Sequence, residues 1–297
     1  MAITLGGGGS ASAINEKKEF NSAENLITLD DGRVYLKGGV SSTDTSTYPD
    51  ATTALAYTGT SFSDSAQVNQ PAGITWDGSF FWVVDRGSTN SVFKYNALGV
   101  YQNVSFSVGN QGTDPTGIVW DGSFFWVINN AASPYKRVSK YNASGVYQNV
   151  FWEYNAVTTM DGEDLAWDGT FFYVVGNATD TIRKFNAAGV DQGVSYSVAA
   201  QETNPKGITF DGTYLWVVGT SSGKAHKYNT SGVYQNESFA VSPQDTSTQG
   251  LAWDGTALCT VGLATDKVYK YANQIGVIIN PSASARASGR QNYVRIK

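Results

Sequence analysis

The chain has 297 residues, with 20 basic (Lys and Arg) against 25 acidic side chains, and a formal net charge of −5. Charged residues make up only 15% while glycine reaches 32 residues and aromatics 13%, a balance that favours strands and turns over helices and lacks the basic excess of a nucleic-acid binder. A single cysteine, Cys259, and a single histidine, His226, exclude an intramolecular disulfide, a multi-thiolate zinc site and a multi-histidine metal centre, so neither metal nor cofactor is expected.

From the amino terminus, MAITLGGGGSASAINEKKEF (1–20) has no cationic start leading into an apolar run, which predicts no secretory leader and folding in a cytoplasm. Gly6–Gly9 reads as linker, because a phosphate loop needs a preceding strand and a following Gly-Lys-Ser/Thr. No apolar stretch reaches the ~18 residues of a membrane helix, so membrane insertion is not expected. The phrase TLDDGRVYLKGG spans 28–39, and ALAYTGTSFSD at 54–64 matches the later strand phrase LGVYQNVSFSV at 98–108.

The chain then repeats itself. GITWDGSFFWVV starts at Gly73, GIVWDGSFFWVI at Gly117, DLAWDGTFFYVV at Asp164, GITFDGTYLWVV at Gly207 and GLAWDGTALCTV at Gly250, in steps of 44, 47, 43 and 43 residues. KYN follows at 94, 140 and 227, with KFN at 184 and KYA at 270. Each unit predicts four short strands, the first two joined by an Asp-Gly turn, since Gly tolerates positive φ and Asp bonds its own turn backbone. Four strands recurring at this period signal a propeller blade. The expected fold is therefore all-β, a propeller of about five four-stranded blades in which strand 57–64 completes the last blade. A sixth, degenerate blade around 28–39 is the alternative. The predicted organisation is an amino-terminal extension (1–57), the propeller (58–275) and a short carboxyl tail (276–297) carrying Arg286, Arg290, Arg295 and Lys297, which docks on an acidic neighbour or is a solvated end.

In such a propeller the Asp-Gly turns and the third-to-fourth turns share one face, where the repeats agree. The crossings between blades and the second-to-third turns share the other, where they differ, and divergence marks the face free to recognise a ligand. Its candidate residues are Asp85, Arg86, Asn129, Asn130, Tyr135, Lys136, Asp161, Glu163, Glu202 and Lys206. Trp152 joins them because FWEY replaces SFSV in one repeat only.

The other residues have plainer roles. Asp77, Asp121, Asp168, Asp211 and Asp254 are each followed by Gly and are expected to cap their own turns rather than ring a cation. Trp76, Trp82, Trp120, Trp126, Trp167, Trp216 and Trp253 recur in register and are expected to pack between blades. His226 stands where other repeats have Phe93, Ser139, Arg183 and Tyr269, which suits a strand residue; Cys259 stands at a Trp or Tyr position, as an apolar filler. MDGED (160–164) matches no complete calcium loop. No catalytic constellation emerges, and the expectation is that the chain is not an enzyme.

The WDGSFFWVV and KYN phrases resemble kelch-like and NHL-like propeller repeats, which implies fold and not function. The ends say more. MAITLGGGGSASAINE, LITLDDGRVYLKGG and STYPDATT, with the closing NYVRIK, resemble the ends of tail-fibre and related virion proteins of tailed bacteriophages. That resemblance implies a structural virion protein assembled in the bacterial host, with residues 1–57 joined to other virion proteins. Oligomeric copies on the particle would bind a host-surface glycan or protein, as a short tail fibre or receptor-binding protein. A head-surface fibre or capsid decoration protein is the alternative, and a propeller lyase or lactonase acting on polysaccharide or small esters is the more distant one.

Overall fold

The computed structural model describes residues 54–274 except 132–135 and 155–159, together with the strands Ile3–Thr4, Ala13–Ile14, Leu26–Thr28, Val34–Lys37 and Tyr293–Ile296. Two compact units emerge, one of residues 55–272 and one made of the two ends, 1–54 and 273–297. In the terminal unit Ile3–Thr4 pairs with Ala13–Ile14, and Val34–Lys37 lies between Leu26–Thr28 and Tyr293–Ile296 in a three-stranded antiparallel sheet. Within the phrase at 28–39, Thr28 and Val34–Lys37 thus belong to that sheet and not to a sixth blade.

The larger unit is a five-bladed propeller of four-stranded antiparallel sheets. The innermost strands are Pro71–Trp76, Pro115–Trp120, Gly162–Trp167, Pro205–Phe210 and Thr248–Trp253; each lies against the next, and the fifth lies against the first. The Asp-Gly turns form as their chemistry requires. Asp121 Oδ1 accepts from Ser123 N (2.8 Å) and Phe124 N (2.7 Å), and its Oδ2 accepts from the indole Nε1 of Trp126 (2.6 Å). Asp77 with Trp82 and Asp211 with Trp216 repeat this, and Tyr173 donates its hydroxyl to Asp168. The carboxylate therefore caps the turn and also orients the large ring on the second strand. Lys94, Lys140, Lys184 and Lys227 lie over Phe80, Phe124, Phe171 and Tyr214 at 3.6–4.2 Å from the ring centroids, a stacking that shields the hairpin's outer face. Blade 5 has Ala257 and Cys259 in place of the two rings, and Lys270 turns instead to Asp254 (3.2 Å).

At the other turn of this face, Asn96 Oδ1 accepts from Leu98 N (3.0 Å) and Val100 N (2.9 Å), and Asn142, Asn186 and Asn229 do the same. The turn glycine has φ near +80° at Gly99, and a Cβ there would strike Phe62 of the preceding blade. Gly145, Gly189 and Gly232 receive Phe106, Trp152 and Tyr196 in the same way. Four outer strands thus each seat one aromatic side chain on the turn glycine of the next blade. Asn103, Asn149 and Asn236 adopt positive φ beside register shifts in the outermost pairings, bulges that keep the outer edges from pairing with another chain.

The ring closes through Ala54–Ser63, the outermost strand of blade 5, beside Lys267–Gln274. Thr58 Oγ1 donates to Lys270 O (3.1 Å), Asp64 N to Asp266 O (3.2 Å), and Tyr57 packs edge-on against Tyr269. Replacing Asp121 with alanine removes one carboxylate from three donors. The expected cost is about 2 kcal/mol, seen as a lower urea midpoint at unchanged slope; an unaltered midpoint would show that the turn, not its carboxylate, sets blade stability.

Candidate functional site

On the divergent face every crossing is tied to the second-to-third turn of its own blade by a backbone bond: Arg86 N to Gln70 O, Asn130 N to Asp114 O, Asn177 N to Asp161 O, Thr220 N to Asn204 O and Leu263 N to Ser247 O. Buried carboxylates reinforce three of these junctions. Asp85 accepts from Gln70 N (2.9 Å) and Thr89 Oγ1 (2.6 Å). Glu202 accepts from Asn204 N (2.9 Å), Ser221 N (3.0 Å) and Ser222 Oγ (2.6 Å). Asp245 accepts from Ser247 N (2.7 Å) and Thr265 Oγ1 (2.6 Å). Burial alone would raise the Glu202 carboxyl, but the donors from Ser222, Asn204 and Ser221 outweigh it and hold it below the ordinary value.

His226 belongs to one of these latches. Its Nε2 lies 3.0 Å from Ser222 Oγ, which in turn donates to Glu202. This chain looks like a nucleophile, a base and an acid, but the acid bonds the hydroxyl rather than the ring, unlike a catalytic triad. Blade 5 repeats the arrangement without a histidine, as Tyr269 OH to Thr265 Oγ1 (3.1 Å) to Asp245. The recurrence identifies a structural latch. Burial lowers the His226 pKa, partly opposed by Glu202, so the ring is neutral at pH 7. Cys259 is fully buried and its thiol is pushed well up by burial and by Asp254.

The remaining polar groups converge on the axis. Ala72, Thr116, Glu163, Lys206 and Gln249 occupy one position of the five innermost strands. Glu163 and Lys206, from adjacent blades, form an ion pair at 3.0 Å with both side chains largely buried. Burial raises the Glu163 carboxyl; Lys206, and more weakly Arg86, pull it back down, while Asp114 pushes it up. Thr116 Oγ1 donates to Gly162 O (3.0 Å), linking blades 2 and 3.

The next position along these strands is glycine in four blades and Asp164 in the third. A Cβ on Gly73 would meet the Gly117 backbone at 2.6 Å, and one on Gly250 would meet Gly73 at 2.8 Å, so the strands approach at glycine distance. Asp164 is fully buried among them; its Oδ2 accepts from Ile208 N (3.1 Å) and its Oδ1 has no hydrogen-bond partner. Burial pushes this carboxyl well above its ordinary pKa, against the pull of the Ile208, Leu165 and Ile118 amides, and neighbouring Glu163 raises it further.

The expected site residues therefore separate. Arg86, Glu163 and Lys206 share one electrostatic neighbourhood, with Glu163 and Lys206 on innermost strands and Arg86 in the second-to-third turn of blade 1. Lys136 pairs with Asp161 beside it. Asp85 and Glu202 are latch carboxylates, and Asn129 is a buried cap to Ala131 N (3.0 Å). Asn130 Oδ1 accepts from Tyr154 OH (3.1 Å). Trp152 is 7% exposed and stacks on Phe185 at 4.9 Å between blades 2 and 3. Tyr135 lies outside the described residues. Asp164 is absent from the expected set, although the sequence marks it as the one non-glycine at its repeat position. Among the described residues no three His, Cys, Asp or Glu side chains cluster to hold a metal ion.

No family model matches the chain, and no curated protein matches it. Among solved structures it is similar to the glutaminyl cyclase of Myxococcus xanthus, at 10% identity and TM-score 0.59 over 73% of this chain and 95% of that one. It is also similar to the PQQ-bound aldose sugar dehydrogenase of Streptomyces coelicolor, at 11% identity and TM-score 0.52 over 76% and 99%. A streptogramin B lyase structure aligns at 13% identity and TM-score 0.47 over 76% and 100%. At such identities the likeness shows the fold alone. It nonetheless corrects the expectation that the chain is not an enzyme: the first two structures carry the names of enzymes on this scaffold. Counting histidines and cysteines excludes nothing that carboxyl groups can do, and Asp164 is a carboxyl of strongly raised pKa.

Restoring glycine at position 164 tests the axial carboxyl. A carboxyl whose pKa is raised on folding supports the native state at low pH, and that support is lost as pH rises above the unfolded value. The fall in melting temperature between pH 5 and pH 8 is therefore expected to shrink in Asp164→Gly; an identical fall in both proteins would place the charge elsewhere.

Proposed function

We propose that the chain is a structural virion protein of a tailed phage whose propeller binds a host-surface glycan or protein on its crossing face, at the axial mouth around Arg86, Glu163 and Lys206. The observation that carries this reading is the unequal constraint on the two faces. One is held uniform by the repeated carboxylate and amide caps, while the other places a different residue from each blade at the axis: Ala72, Thr116, Glu163, Lys206 and Gln249. A binding surface needs this freedom, and a fold does not. The resemblance of the terminal segments to tail-fibre proteins supports attachment to the particle through residues 1–57. Many copies on one particle would convert weak single contacts into firm adhesion.

A second reading, catalysis at the same mouth, is favoured by Asp164, a fully buried carboxyl beside the Glu163–Lys206 pair. It shares the residues and differs in outcome.

Two measurements test these readings. Gold-labelled antibody to the propeller is expected on a tail appendage of purified particles; label over the capsid would move the role to head decoration, and particles without label would overturn the virion reading. Purified protein is expected to bind extracted host-surface polysaccharide or whole host cells. Lys206→Glu should weaken that binding at least tenfold, which is about 1.4 kcal/mol. Release of shortened saccharides during the incubation would assign catalysis to the mouth.

A further inference from the structure

The closing strand ends in a residue that the repeat does not explain. Asp64 follows Ala54–Ser63 at the position held by Val108, Tyr154, Val198 and Val241 in the other blades. All five are buried, and Asp64 is 0% exposed. Its backbone is well used: its N–H donates to Asp266 O (3.2 Å), and its carbonyl accepts from Gln67 N and Val68 N, both at 2.9 Å. Its carboxyl is not used, since neither Oδ1 nor Oδ2 has a hydrogen-bond partner. A charged group in that state is among the costliest a fold can hold, whereas the neutral acid costs far less.

The groups facing it do not favour ionisation. Asp266 comes from the second-to-third turn of blade 5, Asp85 from the second strand of blade 1, and Tyr95 from the third strand of blade 1. Two are acids, and Tyr95 directs its hydroxyl to the Asp64 carbonyl (3.5 Å) and to Gln67 Oε1 (3.4 Å). The position matters because the clasp is the one blade assembled from both ends of the propeller sequence. Its Phe62 packs on a cluster that joins blade 5 to blade 1, including Val68, Ile74, Phe81, Cys259 and Val261.

We propose that the ring closure is a proton-operated lock, tight while the Asp64 carboxyl is neutral and loosened when it ionises, so that the closing strand opens more readily as pH rises. Burial pushes the carboxyl up to about 7; its own backbone amide opposes this, and Asp266 and Asp85 add to it. The sign follows from linkage. Between the ordinary carboxylate pKa near 4 and about 7, the closed state holds a proton that the open strand has released, so closure weakens with rising pH and levels off above. This device is independent of what the axial mouth binds.

Cys259 supplies the reporter, because it is the single cysteine of the chain and is fully buried in the cluster that Phe62 covers. The experiment measures maleimide labelling of Cys259 in the full chain from pH 5 to pH 8, divided by the labelling rate of glutathione at each pH. In the wild type this ratio is expected to rise with pH by up to tenfold per unit and to level off above pH 7. In Asp64→Val, which carries the residue of blades 1, 3 and 4, it should stay flat and lie below the wild type at pH 8. Asp64→Asn keeps the shape without the titration and should also be flat, which covers the case in which the valine protein does not fold. A wild-type ratio that does not change with pH, or a slope that survives in either folded variant, would overturn the proposal.

Discussion

The constraint on which the molecule depends is the distance between innermost strands at the axis. Five strands converge so closely that a Cβ on Gly207 would meet the Gly250 backbone at 2.9 Å, much as Gly73 meets Gly117 and Gly250 meets Gly73. Glycine at this level lets five blades close in a ring without a gap. The outer strands then fan apart, and the space between them is filled by aromatic rings of one blade seated on the turn glycines of the next. The core is accordingly distributed as five apolar clusters, each joining two neighbouring blades, so that blades lend one another stability.

This division of labour explains why the two faces differ. The turns of the uniform face are held by side chains that also orient the core: the Asp-Gly carboxylate holds both a turn and an indole, and the asparagine of the KYN phrase holds the turn whose glycine accepts the neighbouring aromatic ring. A change there disturbs two things at once. On the crossing face, by contrast, the same mechanical task is met by Asp85, by Glu202 with Ser222, by Asp245 with Thr265, or by backbone bonds with Asn129. Several solutions are equivalent, so the sequence is free to vary, and the axial residues vary with it.

The features legible in the sequence are those that are local or periodic. Asp-Gly hairpins, the strand period, the turn role of the five aspartates and the closure by the strand before Asp64 all follow from short phrases and their spacing. The latches were not legible, because Asp85 meets Gln70 from 15 residues away and Glu202 meets Ser222 from 20, with nothing in either phrase to announce the other. Trp152 shows the converse. Its departure from the phrase SFSV suggests a ligand, yet aligned by position it is the blade-2 member of the series Phe62, Phe106, Trp152 and Tyr196. The breaks that matter are of another kind, a charged residue where every other repeat is apolar or has no side chain.

Asp164 and Asp64 are both breaks of that kind. Each is a carboxylic acid, fully buried, at a repeat position that four other blades fill with glycine or with apolar and aromatic residues. Each has at least one carboxyl oxygen without a hydrogen-bond partner and a pKa raised chiefly by burial. The other blades close without them, so their presence asks for a reason beyond the packing of the repeat. Their locations supply different ones. Asp164 adjoins the axial ion pair, the place where residues from different blades meet, and sets beside it a carboxyl whose pKa burial raises. Asp64 stands where the amino-terminal strand enters the ring, and ties the strength of closure to pH. A repeat protein that keeps four uniform copies and alters one thereby gains a site without redesigning its scaffold.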